Sequence, residues 1–210
     1  MDEPLGSQDA KMRVEMRAKL KKLQMDLGIT TVYVTHDQVE AQAIGDKMAV
    51  MEEGTIHQAG SPEDIYEKPA SLFVAGFVGT PRMNFLEGTL HRKGDQLCIH
   101  HPLFELALSP AKAASVEAGA SSQEVVVGFR PENIGLSDTA KAGSISSEVY
   151  VLEPQSDKLI VSLKFGEEIL RMQADRDRLG FAPQVGQKVF LTFEQEFAHV
   201  FDKNTGQRIS

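Results

Sequence analysis

The sequence predicts an α/β segment over residues 1–78 followed by an all-β region over residues 79–210 with OB-like barrels. Three observations carry this reading. Met12, Met16, Leu20, Leu23 and Leu27 recur at spacings of three and four, the period of an amphipathic helix. A run over 29–35, rich in β-branched residues and tyrosine, follows that helix after one glycine, and a second helix follows the run. This is the alternation of an α/β sheet. After Gly79 the pattern changes to short strands separated by turn residues, the spacing of small β-barrels.

Asp9 is the N-cap of the first helix and Gly28 its stop. The segment 29–35 reads as a buried strand, and the first strand of its sheet is missing. Thr35 and Gln38 form a capping box opening a helix to about Ile44. Segments 47–51 and 55–58 are strands joined by a Glu52-Glu53-Gly54 turn. Ser61-Pro62 opens two short helices, broken near Pro69. In the second region strands are expected at 85–91, 96–100, 124–129, 147–152, 159–165, 168–172, 188–193 and 198–201, with Gly166-Glu167 closing a hairpin. The Ala/Ser-rich stretch 107–122 reads as a loop or linker, and the methionines of the first helix as core filler.

Composition narrows the function classes. A net charge of −8 argues against a nucleic-acid surface, and the basic stretch 11–22 reads as a solvated helix face. The longest apolar run, near 72–74, is far too short to cross a bilayer. Met1 is followed by acidic residues with no apolar h-region, so no secretory signal is expected and the cytoplasm is the natural compartment. Cys98 is the one cysteine, which excludes an internal disulfide and a Cys-based zinc cluster. His100 and His101 lack further ligands at metal spacing, and neither Asn84 nor Asn133 opens a glycosylation triplet.

Two groups carry chemistry: Met1-Asp2-Glu3-Pro4-Leu5, with Asp9 following, and Val32-Tyr33-Val34-Thr35-His36-Asp37-Gln38. At this separation they resemble the end of the Walker B strand with its D-loop, and the switch region, of an ABC ATPase. Gly54-Thr55-Ile56, Gly60-Ser61-Pro62, Ile65-Tyr66-Glu67-Lys68-Pro69 and the segment 73–79 extend the resemblance to ATP-binding subunits of carbohydrate importers of the maltose and glycerol-phosphate type. Met83-Asn84-Phe85-Leu86 and Gly128-Phe129-Arg130-Pro131-Glu132 are similar to segments of their C-terminal regulatory domain.

That resemblance implies roles. Asp2 would hold Mg²⁺ through water, Glu3 would polarise the attacking water, His36 would reach the γ-phosphate, and Asp9 would belong to the nucleotide site. It implies ATP and Mg²⁺ as cofactors of the intact family, transmembrane permease subunits as partners, and a homodimer through the β domain, peripheral to the inner membrane. For Arg130 and Glu132 two readings stay open, an exposed ion pair or a role at a regulatory or subunit interface. The sequence departs from the family in two ways. It holds no Gly-x-x-x-x-Gly-Lys-Ser/Thr run and no Leu-Ser-Gly-Gly-Gln signature, and it has Gly6-Ser7-Gln8-Asp9 where Ser-Asn-Leu-Asp is usual.

The expectation is a truncated subunit, 1–78 a remnant of the nucleotide-binding domain and 79–210 the regulatory and dimerisation domain. It would bind no cofactor and turn over no ATP alone. The alternative is a stand-alone OB-like module that captures an oxyanion, a sugar phosphate or a regulatory protein.

Overall fold

Caps at both ends define the first helix. The Asp9 carboxylate accepts from the Met12 amide at 2.8 Å, and Gly28 takes the left-handed conformation (φ 61°), so α1 spans Ala10–Leu27. The computed structural model describes residues 1–210, which form two compact units, Met1–Ala70 and Ser71–Ser210.

In the first unit α2 (Gln38–Ile44) is followed by β1 (Met48–Glu52) and β2 (Thr55–Gly60), an antiparallel pair, and by α3 (Pro62–Glu67), capped by Ser61 with Pro62 in its first turn. Three expectations are corrected here. Residues 29–35 do not form a buried strand: they make one parallel bridge, Asp2 to Val34, and Ile29, Val32 and Val34 are exposed. Segment 1–3 is their only ladder partner, and a β-rich segment is buried by neighbouring strands, not by its own composition. The Thr35–Gln38 capping box is replaced by Asp37, whose carboxylate accepts from the Val39 and Glu40 amides, while Thr35 Oγ1 accepts from the Asp37 amide. Finally, α1 contains no buried residue. Met12 and Met25 are exposed rather than core filler, and the helix meets α2 and its flanks through polar contacts, Lys21 reaching the Ile44 carbonyl and Asp46.

The second unit begins with α4 (Leu72–Phe77) and then forms two five-stranded sheets, all of whose pairings are antiparallel. One sheet contains β3 (Asn84–Lys93), β4 (Gln96–His101), β5 (Phe104–Ala107), β6 (Glu124–Phe129) and β12 (His199–Asp202), in the order β12-β6-β3-β4-β5. The other contains β7 (Ile134–Ser137), β8 (Ile145–Gln155), β9 (Lys158–Phe165), β10 (Glu168–Asp175) and β11 (Lys188–Phe193), in the order β10-β9-β8-β11-β7. The predicted hairpin is present: Phe165 pairs with Glu168 across Gly166-Glu167, with Gly166 at φ 61°. Alternate residues of both sheets, among them Leu86, Ile99, Val127, Phe129, Val161, Leu163 and Leu191, share one core.

The stretch 107–122 is not a linker. It contains α5 (Pro110–Gly119), capped by Ser109, whose Val116 is fully buried in that core. Lys112 fixes its position by donating to the carbonyls of Gln195, Glu196 and Ala198. Strands β5 and β7, four residues each, are not among the strands read from the sequence.

Two polar side chains tie the second unit together. Asn84, almost fully buried, donates from Nδ2 to the carbonyls of Phe129 (3.2 Å) and Arg171 (2.8 Å) and accepts from the Arg171 amide (2.7 Å), so one carboxamide bridges the two sheets. Arg130 is 2% exposed and donates to the carbonyls of Ala75 and Val78 at the C-terminal end of α4. Its burial corrects the reading of Arg130 as an exposed group. A buried cation there satisfies carbonyls that the helix leaves open and meets the negative end of its dipole. Two residues earlier, a Cβ at Gly128 would crowd the Met83 side chain and lie 3.1 Å from the Phe201 ring.

Candidate functional site

The parallel bridge brings the two chemical motifs together. Glu3 N–H donates to the Val34 carbonyl at 2.8 Å, Val34 N–H to the Met1 carbonyl at 2.9 Å, and the chain-start amine to the Val32 carbonyl at 2.8 Å. With the backbones in this register, His36 Nδ1 lies 2.7 Å from Glu3 Oε1. Both side chains are open to solvent, at 75% for His36 and 51% for Glu3. The hydrogen bond to Glu3, followed by its negative charge, raises the His36 pKa above the ordinary 6.5. Glu3 has a left-handed φ of 41°, a region that non-glycine residues seldom occupy.

The segment leading into α2 is held from beneath. Buried Glu40 accepts from the Tyr33 hydroxyl and from Thr35 Oγ1, each at 3.0 Å. Arg13 of α1 lies 3.8 Å from Glu40 and 3.3 Å from Asp37. Burial, reinforced by the Glu40 contact, pushes the Tyr33 hydroxyl up to about 12. Tyr33 and Thr35 are thereby anchored on either side of Val34, and His36 emerges just beyond them.

Asp2 is exposed beside Glu3. Asp9 is committed elsewhere, as the N-cap of α1. Between them, turns at Gly6 and Gln8 accompany the burial of Leu5, and Arg13 donates to the Gln8 carbonyl. Of the four predicted site residues, then, Glu3 and His36 are in contact, Asp2 lies on the bridge beside Glu3 with its side chain exposed, and Asp9 carries a helix cap. The supporting residues Tyr33, Glu40 and Arg13 were missed. The spacing of Thr35 and Glu40 across the helix start was the available signal, while the Arg13 contact spans α1 and α2 and has no local signature.

The residues fit one side of a Mg-nucleotide site. Asp2 and Glu3 offer the oxygen donors a hard cation takes directly or through water, and His36 is a hydrogen-bonding group at the same edge. These 210 residues contain no glycine-rich lysine loop, so the phosphate side has no cradle among them.

The second unit holds a further cluster, in which His91, Cys98 and Glu105 have ligand atoms within 4.8 Å of one another. It was missed because three residues spaced seven apart match no linear metal motif. The two-residue Gly94-Asp95 turn, which sets His91 opposite Cys98, was the signal. His101, in contrast, is stacked between Phe104 and Phe165 and accepts from the Leu103 amide.

The MalK OB fold domain family matches residues 79–134, the stretch from Gly79 to the start of β7. The uncharacterized ABC transporter ATP-binding protein y4oS of Sinorhizobium fredii is 42% identical, covering 100% of this chain and 53% of its own length. The trehalose/maltose import ATP-binding protein MalK of Thermococcus litoralis is 40% identical, covering 100% and 56%. The xylose/arabinose import ATP-binding protein XacK of Haloferax volcanii is 38% identical, covering 100% and 53%. The chain thus spans about half the length of the relatives it matches. A solved structure of the cytoplasmic molybdate-binding protein ModG aligns with 56% of this chain and 94% of its own at 15% identity and a TM-score of 0.44, too distant to bear on fold or function. No helix is long and apolar enough to cross a membrane. From its first residue to its last this chain is thus similar to ATP-binding subunits of sugar-type ABC importers, about half of whose length it covers, and residues 79–134 match the MalK OB fold domain.

Proposed function

We propose that this chain supplies the water-activating side of an importer's nucleotide site together with its regulatory domain, and that its 210 residues alone neither bind nor hydrolyse ATP. The observation that carries the reading is the 2.7 Å contact between His36 Nδ1 and Glu3 Oε1 on the Asp2–Val34 bridge. Glu3 is the general base that orients a water, and His36, held by Glu3 and kept in place by the Tyr33–Glu40–Thr35 network, is the group that meets the terminal phosphate. Asp2, exposed beside Glu3, would help hold Mg²⁺. When bound, Mg²⁺ neutralises charge on the transferring phosphoryl group. Asp9 acts on the site indirectly, by fixing the start of α1 and so the loop between Glu3 and the helix. The left-handed φ of Glu3 supports the assignment, because such backbone outliers concentrate at functional positions.

Residues 1–78 are, in this reading, a part of an α/β nucleotide-binding domain, and 79–210 an OB-like regulatory domain that pairs with a second copy. Permease subunits hold the assembly at the cytoplasmic face of the inner membrane. The similarity to import subunits supports these assignments. Gln8, where the family resemblance calls for leucine, weakens coupling between paired subunits.

A chimera that places the phosphate-binding half of the Thermococcus litoralis relative ahead of Met1 tests the roles. ATP turnover should appear and fall by about 100-fold or more with Glu3→Gln or His36→Ala. Turnover insensitive to both changes, or Mg-ATP binding without turnover, would contradict the proposal.

A further inference from the structure

The Gly94-Asp95 turn sets the register of the β3–β4 hairpin so that His91 stands directly opposite Cys98. In the β4–β5 pair Cys98 faces Ala107 and His100 faces Glu105, which makes Glu105 the diagonal neighbour of Cys98 on the same side of the sheet. Leu97 and Ile99, with the opposite parity, point into the core shared by the two sheets, so the three polar residues occupy the other face. Cys98 is nonetheless 1% exposed.

The donor atoms converge. One imidazole nitrogen, one thiol sulfur and one carboxylate oxygen lie within 4.8 Å of one another. His91 Nε2 is shut off from water and 3.2 Å from Glu105 Oε2, yet it has no aligned hydrogen bond. The other carboxylate oxygen, Oε1, is held by Lys93 at 2.9 Å, which leaves Oε2 directed at the cluster. His100 stands beside it, its ring edge-on to His91 with centroids 6.0 Å apart.

We propose that His91, Cys98 and Glu105 form a binding site for a borderline-soft divalent cation of the Zn²⁺ class. A nitrogen, a sulfur and an oxygen donor suit such an ion, whereas Mg²⁺ and Ca²⁺ require oxygen donors alone. Four-coordinate bonds of about 2.0–2.3 Å put ligand atoms roughly 3.4–3.7 Å apart, so the cluster closes by about 1 Å. Glu105 and His91, each about one-third exposed, have the freedom to make that movement, and the buried sulfur is the fixed point. Binding replaces the Cys98 thiol proton, which passes to solvent, with a sulfur–metal bond; the ring nitrogen and the carboxylate donate electron pairs, and nothing is oxidised or reduced. The fourth position falls to His100 or a water molecule. Lys93 stays on Oε1 and orients the ligating carboxylate.

Titration of the 210-residue chain with Co²⁺, followed by displacement with Zn²⁺, tests the site. The expected result is one equivalent bound, with a sulfur-to-cobalt charge-transfer band and the intense visible bands of four-coordinate cobalt, all removed by Zn²⁺. Cys98→Ala should abolish the charge-transfer band, and Glu105→Gln should weaken binding by about tenfold or more, with unchanged far-ultraviolet circular dichroism. If Cys98→Ala does not fold, Glu105→Gln, at a partly exposed position, decides the matter alone. No binding, cobalt binding without the charge-transfer band, or a titration unaffected by Glu105→Gln would overturn the proposal.

Discussion

Replacing Asn84 with alanine is the most direct way to ask what holds the two sheets of the second unit together. The carboxamide makes three hydrogen bonds, two donated to the carbonyls of Phe129 and Arg171 and one accepted from the Arg171 amide. Arg171 lies on β10, the edge strand of its sheet, so the side chain of Asn84 takes the place of a missing neighbouring strand. A net contribution of about 0.5–1.5 kcal/mol for each bond, with added cost for groups left unsatisfied in a buried place, gives a loss of roughly 2–4 kcal/mol. Urea unfolding followed by circular dichroism measures the loss, and amide exchange at Arg171 localises it. The Arg171 amide should lose its protection while that of Val161, in the middle of β9, changes only with global stability. A loss below about 0.5 kcal/mol with the Arg171 amide still protected would refute the reasoning.

Glu3 raises His36, so the pair favours the protonated ring: its stabilising contribution is complete below the ordinary 6.5 and is lost as pH rises through the raised midpoint. Proton resonance titration should find that midpoint above 6.5 and returning towards it in Glu3→Gln; a midpoint indifferent to Glu3 contradicts the contact. Burial, with help from the charges of Arg130, Arg208 and Lys112, pushes the His199 ring down to about 4. The unfolded chain then binds a proton that the native state refuses, and stability falls as pH drops from 6.5 towards 4, by about 2 kcal/mol between pH 7 and pH 5. His199→Gln should flatten that part of the unfolding profile, and an unaltered slope would exclude His199 as its source. Gly88→Ala sets a Cβ 2.6 Å from Ile99 Cγ2 and 3.1 Å from the His100 carbonyl, so a destabilisation of about 1–3 kcal/mol is expected in urea unfolding, and a neutral result would show that β3 and β4 can move apart.

Features with a local cause were legible in the sequence. The caps of α1, the Ser61-Pro62 helix start and the Gly166-Glu167 hairpin depend on residues within a few positions of one another, and each is found in the structure. Residues 29–35 were not, because their composition describes a buried strand while burial depends on neighbours elsewhere in the chain. The Ala/Ser content of α5 suggested a linker, although Ser109-Pro110 repeats the signature read correctly at Ser61-Pro62. The burial of Arg130 was not legible, because nothing beside it in sequence indicates the α4 carbonyls it meets more than fifty positions away. In the candidate site, Glu3 and His36 were found through their resemblance to a known pattern. The network beneath them was hidden, since Arg13, Tyr33 and Glu40 come together only once α1 and α2 have packed.

In the proposed function Glu3 and His36 form one side of a nucleotide site, and these 210 residues hold no phosphate-binding loop. Calorimetric titration of the isolated chain with Mg-ATP addresses that reading directly. The account predicts no binding in the micromolar range, because a few carboxylates and one histidine at an open edge cannot replace the backbone amides and lysine of a phosphate-binding loop. A saturable micromolar isotherm with one equivalent of Mg-ATP per chain would contradict it.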